Sequence, residues 1–390
     1  MISVTEALNA LFSRLAPLSV EAVSLTEANG RVLAAPITAT RAQPPFAASV
    51  MDGYAIAAEK VVTGQSFRIV GEAAAGNAFQ GSVRDGEAVR IFTGAPVPSG
   101  ARRVIIQEDV DRTDAEILVR PNATEKFYIR VLGADFNVGD QIDAPVRLTP
   151  RHVSLIAAMN VASVPVTRRP TVAIISTGNE LVAPGEAPRN DQIIASNALG
   201  IAALVEDAGA TARVLPIARD NEDSLNATID LAQDSDLILT IGGASVGDHD
   251  IVAPVFERRG MERAFHRVAV RPGKPLMAGS LGTSLVIGLP GNPVSSLICA
   301  HVFVVPTIDR LLGLPPAPRG RRQARLTAPL EPNGPREHYM RARLSNGGVA
   351  AFPSQDSAIL TVLADANALI MRPPNDPARD TGDTVEILDL

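Results

Sequence analysis

Hydrophobic and polar positions change rhythm several times along the chain, and each change predicts a different unit. Val4, Leu8, Leu11, Phe12 and Leu15 recur at helical spacing and predict an amphipathic helix. Ser19 to Asn29 predicts a second helical piece, stopped by Gly30. The prolines between Pro36 and Ala57, with the Asp52-Gly53 pair, predict an ordered turn. From Ser66 to Arg120 short alternating runs separated by glycines predict a small β domain, with TGAPVPSG (Thr93 to Gly100) as a rigid loop between strands. Helical spacing returns over Thr149 to Asn160, so the β region reads as an insertion into a helical one.

After Arg169-Pro170 short apolar runs alternate with helical patterns. The strand TVAIIS enters the loop Thr177 to Glu180. Ser196 caps a helix with apolar Leu199, Ala202, Ala203 and Leu204 that ends at Gly209. A strand from Ala212 to Pro216 leads past Asp220 to a helix capped by Asn221. A fully apolar strand, Asp236 to Ile241, runs into Gly242-Gly243. Ser284 to Gly288 turns through Pro290-Gly291-Asn292 into a helix with Pro293 at its first position. Such alternation implies βαβ units around a parallel sheet. Leu312 to Gln323 reads as a linker, and the alternating runs beyond it as a small β barrel or sandwich.

Composition narrows the class. The 390 residues are 46% apolar and 20% charged, as in a globular protein of several domains. A net charge of −6 argues against a general nucleic-acid binder. The basic cluster Arg319, Arg321, Arg322 and Arg325 lies in the proline-rich linker and reads as a solvated face. Cys299, the one cysteine, has no disulfide partner and sits in an apolar helical run, so it reads as core. No basic-then-apolar leader and no run of ~18 uninterrupted apolar residues occurs, which leads to the expectation of a cytoplasmic protein with no membrane partner.

Three predicted strands end in polar, glycine-bearing loops, STGNE, GGASVGDHD and GLPGNP, which a parallel sheet places along one edge. Glycine lets backbone N–H groups approach an anion, so Gly243 and Ser245 are candidates to hold phosphate. Carboxylates beside a phosphate call for a divalent cation, typically Mg²⁺, which points to Asp248 and Asp250. Pro290 and Asn292 sit where a helix N-terminus presents unpaired N–H groups. Strand alternation puts Arg267 and Arg271 on one face, with Lys274 in the following turn. A solvated face explains Arg267 alone, but the cluster beside these loops favours anion binding. GASVG also matches the nucleophile elbow of hydrolases. Its Ser is followed by Gly-Asp-His-Asp, a poor helix start, and His338 is the one histidine placed to act as its base, so the elbow is disfavoured.

Taken in order, PPFAASVMDGYA, TGAPVPSGA, STGNEL, GGASVGDHD, RPGKP and GLPGNP resemble the MoeA family of molybdopterin molybdenumtransferases, which includes the E domain of gephyrin and its plant counterpart. The likeness covers nearly the whole chain. It implies a multidomain α/β fold: a discontinuous helical domain (1–43 and 141–169), an inserted β domain (44–140), an α/β nucleotide-type domain with a parallel sheet (170–316) and a C-terminal small β barrel (317–390). The implied reaction inserts molybdate into adenylylated molybdopterin with Mg²⁺, cleaving the phosphoanhydride and releasing AMP. The resemblance assigns catalytic roles to Asp52, Glu180, Asp220 and Asp250, the last three as metal ligands. It places Thr93 and Asp135 in the same cleft, Arg267, Arg271 and Lys274 in an anion-binding cluster, and Arg341 and Ser357 facing the site. Without it, Asp52 reads as a turn former and Asp220 as a residue at a helix start. QDSAIL lacks the usual glycine-flanked serine, and PFAASV replaces a more common Asp-Asn-Ser version, so Ala47 and Ala48 lack a polar contact. A homodimer is implied, with the site between the inserted domain of one subunit and the α/β domain of the other, and with other cofactor-biosynthesis proteins and recipient molybdoenzymes as partners. The rival reading is a non-catalytic carrier or scaffold for the cofactor, which has no need of Glu180, Asp220 and Asp250.

Overall fold

The strand Leu237–Ile241 is buried at every residue and lies at the heart of a six-stranded mixed sheet. The structure is a computed structural model and describes residues 1–243, 251–315 and 320–390. Thr171–Ser176 and Ser284–Leu289 flank the central strand in parallel, and Thr211–Val214 extends the parallel part outward. On the other side Met277–Leu281 and Glu262–His266 run antiparallel, so the sheet is parallel over four strands only. Their departure follows from the tight turn at Gly282 (φ +58°), which leaves no length for a crossover.

Alternate residues of these strands feed two cores, as a sheet covered on both faces requires. Val172, Ile174, Leu237 and Leu239 pack with Ile201, Val205, Ile298 and Phe303. Ala173, Ile175 and Ile238 pack with Leu225, Ile229 and Phe256 on the other face. Each such Leu or Ile side chain contributes roughly 1.5–3 kcal/mol through burial. The helix Asn197–Asp207 buries Ala198, Ile201 and Val205, whereas Leu199, one of the apolar residues that marked it, is 53% exposed. The helical run Pro293–Leu311, which contains a π-helical segment at Ala300–Val304, is apolar enough to cross a membrane but is 83% buried inside the protein. Cys299 is fully buried there, as expected.

The N-terminal helix Val4–Phe12 is started by a capping box between Ser3 and Glu6 and adds Val4, Leu8 and Leu11 to the first core. The expected second helix is a correction: Val20–Ser24 is a strand, followed by one 3₁₀ turn. It pairs antiparallel with Ser163–Thr167, within a four-stranded sheet that also takes Val32–Leu33 and Val146–Arg147. Tertiary pairing overrides a helical spacing of apolar residues that is mostly exposed here. The helix Pro150–Ala158 forms as expected, capped by Thr149.

Between these halves, six strands from Gly53–Ile56 to Glu116–Val119 make a separate sheet over two small cores. At the C-terminal end, Glu337–Ser345, Ala368–Arg372, Thr384–Asp389 and Arg321–Arg325 pair in sequence. Gly348–Ala351 lies on the other edge of Glu337–Ser345, and a bridge from Leu326 to Val349 closes the circuit into a barrel. Arg321–Arg325 is therefore a paired strand and not a linker. Arg321 is held by Glu386 (2.7 Å) and Arg322 by Asp389 (2.8 Å), while Arg319 lies outside the described residues. Val270–Arg271 adds in parallel to this barrel and so ties it to the α/β unit.

Candidate functional site

Three loops meet beyond the C-terminal ends of the parallel strands, around a cleft of about 410 Å³. The loop after Thr171–Ser176 is anchored by Thr177, whose N–H donates to the Ile241 carbonyl (3.0 Å). At Gly178 (φ +153°) a Cβ would stand 2.5 Å from Glu180 Oε2, so glycine lets the Glu180 carboxylate fold back over the loop. Asp220 is clipped to the same loop from both directions. Its carboxylate accepts from the Asn179 N–H (3.0 Å), and its own N–H donates to Asn179 Oδ1 (3.2 Å). Glu180 and Asp220 thus line one cleft, exposed to it, together with Gly243 and Pro290. Gly242 and Gly243 adopt φ of +89° and +60°, the left-handed turn expected of that pair. Ser245, Asp248 and Asp250 lie outside the described residues. Among the described residues no three His, Cys, Asp or Glu side chains form a complete metal cage. A Mg²⁺ ion held by one or two carboxylates plus substrate phosphate oxygens fits the Glu180–Asp220 pair without one.

A second cavity of about 630 Å³ shares Pro275, Pro290 and Gly291 with the first and brings Arg271, Lys274, Asn292 and Ser357 together. The turn carrying Arg271 and Lys274 rests on Cys299. A Cβ at Gly273 (φ +104°) would lie 2.2 Å from its sulfur, and burial pushes this thiol up to about 12. Asn292 does not cap its helix with its side chain but donates Nδ2 to Ser357 Oγ (3.1 Å). The helix N-terminus is also less open than expected, because the Val294 N–H donates to the Ser357 carbonyl (3.2 Å). Arg267 does not share a strand face with Arg271. Its φ of +74° breaks the strand, and its side chain lines neither cavity. Arg341 does not face the site either. It is 1% exposed and donates to the carbonyls of Ile359 (3.0 Å), Ser354 (3.3 Å) and Asp356 (3.0 Å), holding the loop that carries Ser357.

Asp52 and Thr93 sit elsewhere, on the inserted sheet. Asp52 Oδ1 accepts from the Thr93 N–H and hydroxyl, both at 2.8 Å, and these bonds hold its carboxyl below the usual carboxylate value. Thr93 lines a cavity of about 270 Å³ with Phe46 and Arg130. The Asp135 N–H donates to the carbonyl of Gln43, another wall of that cavity (2.9 Å). This cavity shares no lining residue with the other two.

Family models match in the order of these units: the MoeA N-terminal region (domain I and II) over residues 2–160, a probable molybdopterin binding domain over 173–310, and the MoeA C-terminal region (domain IV) over 323–390. A molybdopterin molybdenumtransferase 2 of Mycobacterium tuberculosis is 36% identical over 94% of both chains. The chain belongs to the MoeA family. A Nostoc molybdopterin molybdenumtransferase is 34% identical over 100% of this chain and 94% of its own. The fold is similar to the crystal structure of a Pyrococcus molybdopterin biosynthesis MoeA protein, with a TM-score of 0.84 at 30% identity over 100% of this chain and 99% of that one.

Within this MoeA-family chain the elbow reading loses its base. His338 is 6% exposed, lines a cavity that shares no wall with the three-loop cleft, and is driven down to about 4 by burial and by Arg271 and its neighbours. Ile193 and Ile194, which the sequence reading passed over, also line the cleft. Their one signal is a pair of adjacent isoleucines in a polar stretch, and they remain 59% and 39% exposed.

Proposed function

We propose that the protein is a molybdenum insertase, a molybdopterin molybdenumtransferase that joins molybdate to adenylylated molybdopterin and releases AMP. The observation that carries this reading is that Glu180 and Asp220, the latter clipped to the loop through Asn179, line one cleft in the part of the chain matched as a probable molybdopterin binding domain. Glu180 and Asp220, with Asp250, would hold Mg²⁺, which would supply charge neutralisation at the phosphoanhydride. The backbone at Gly243 and the Pro290–Asn292 turn cradle phosphate oxygens. Arg271 and Lys274 bind the anionic substrates from the adjoining cavity, with Ser357 beside them. Arg341 acts by holding the segment that carries Ser357.

Asp52, Thr93 and Asp135 enter the same reaction from a partner subunit in a homodimer. Exposed apolar side chains flank both half-sites, Phe46 and Met51 near one and Ile193 and Ile194 at the other. Such patches favour burial against a second copy. The test is AMP release from adenylylated molybdopterin in the presence of molybdate and Mg²⁺. Wild type releases AMP in a molybdate-dependent way, and Asp220→Asn loses on the order of a hundredfold, the scale of one electrostatic contact at a reacting centre. Wild type that binds the nucleotide yet releases no AMP would instead establish a carrier of the finished cofactor.

A further inference from the structure

The C-terminal barrel has a cavity of its own, about 560 Å³, which meets the basic cavity at Arg271, Gln355 and Asp356 but touches no wall of the three-loop cleft. Most polar groups around it are engaged. Arg372 is paired with Asp376 and donates to the carbonyls of Glu331 (3.2 Å) and Pro377 (2.6 Å). The Gln355 amide accepts from the Arg341 N–H and donates to the Arg341 and Phe352 carbonyls. Asp356 is turned to the Ala358 N–H, and Glu331 is exposed.

Two groups line it without a partner among the described residues, and one of them, Arg271, is shared with the basic cavity. The imidazole of His338 is more than nine-tenths buried, lines the cavity, and has no hydrogen-bond partner among the described residues. Arg271 is exposed at the rim, with no ion pair among those residues. The His338 ring nitrogens are not sealed off from the cavity, so a ligand there can take up their unused hydrogen-bonding capacity. The rest of the wall is apolar, from Pro329, Leu330, Met340 and Phe352. A lone tetrahedral oxyanion would leave most of this volume empty, whereas sites of roughly 300–1,000 Å³ with apolar walls and a few polar groups suit organic ligands.

We propose that this cavity binds a small organic phosphate, its phosphoryl group held by Arg271 and the His338 imidazole and its organic body lying along Pro329, Leu330, Met340 and Phe352. The charged groups facing His338 are Arg271, Arg336, Arg341 and Arg372, with the carboxylates of Glu331 and Asp356 in the same cavity wall. A bound phosphoryl group offsets that positive surround, so it raises the His338 pKa from about 4 and binds more tightly as pH falls. The site shares Arg271 with the cavity proposed for the anionic substrates but needs neither molybdate nor turnover, and Lys274, which lines that cavity alone, separates the two.

The experiment follows the His338 ring resonances of the full-length protein, labelled at histidine and assigned with His338→Gln, during titration with AMP, inorganic phosphate or adenosine. AMP moves His338 saturably, at least tenfold more tightly than either fragment. The response survives Lys274→Ala in the substrate cavity and weakens at least tenfold in Arg271→Ala, and a loss in Lys274→Ala as deep as in Arg271→Ala overturns a separate site. A His338 signal unmoved by AMP up to about 1 mM overturns the site. Inorganic phosphate binding as tightly as AMP overturns the organic body, and adenosine doing so overturns the phosphoryl contact.

Discussion

The Asp52 carboxylate accepts two hydrogen bonds from one residue, the Thr93 N–H and hydroxyl, and both favour its charged form. Its pKa therefore lies below the usual 3.8. A carboxyl depressed on folding adds stability above its unfolded pKa and loses it as pH falls through the folded value. This contact is thus fully present at neutral pH and fades on acidification below about pH 4. Thr93→Val removes the hydroxyl but keeps the backbone donor, so the Asp52 pKa rises toward 3.8 and stays below it. Carboxyl NMR titration reads this directly, and an unchanged value would mean the hydroxyl bond is not formed. The pairing was half legible: both residues stood in recognisable motifs, but no spacing in sequence says that residues 52 and 93 share a hydrogen bond. Arg341 marks the opposite failure. Its motif position suggested a group facing ligand, while burial turned its guanidinium onto three carbonyls.

Through those three carbonyls Arg341, on the strand Glu337–Ser345, tethers the loop from Ser354 to Ile359. Ser357 in turn meets Asn292 and Val294 at the start of the helix Pro293–Cys299, so one buried arginine sets a contact between barrel and α/β unit. Arg341→Met keeps much of the volume and removes every donor. It should lower stability by on the order of 3 kcal/mol in urea unfolding. Hydrogen exchange at the Val294 N–H should speed up more than in the central strand Leu237–Ile241. Equal protection at both places would show that the loop holds without Arg341. At this scale the sequence was most informative where an element is buried on both faces, as in Leu237–Ile241, because burial writes itself as an unbroken apolar run. It misled at Val20–Ser24, an exposed strand whose identity comes from its partner Ser163–Thr167 and not from its own pattern. Arg321–Arg325 misled for the same reason, since ion pairs to Glu386 and Asp389 make its charges compatible with a strand.

For the whole molecule, the decisive feature is that the acidic residues expected in one site occupy two cavities without a common wall: Thr93, bonded to Asp52, in one, and Glu180 and Asp220 in the other. A single chain therefore offers two half-sites, and a two-fold dimer can bring each against its complement. If so, Asp52→Ala and Asp220→Ala homodimers both lack every complete site. When the two variants are unfolded together and refolded as an equal mixture, half of the dimers are mixed. In each mixed dimer one site carries both lesions and the other carries none. Activity should then recover to about a quarter of wild type, the value that random pairing of a two-site dimer dictates. Mixing without refolding should give less, to the extent that subunits do not exchange. Recovery that stays at the level of the separate variants, in a mixture whose dimers have demonstrably exchanged, would mean that both carboxylates serve one chain's site, and the half-site assignment would have to be abandoned.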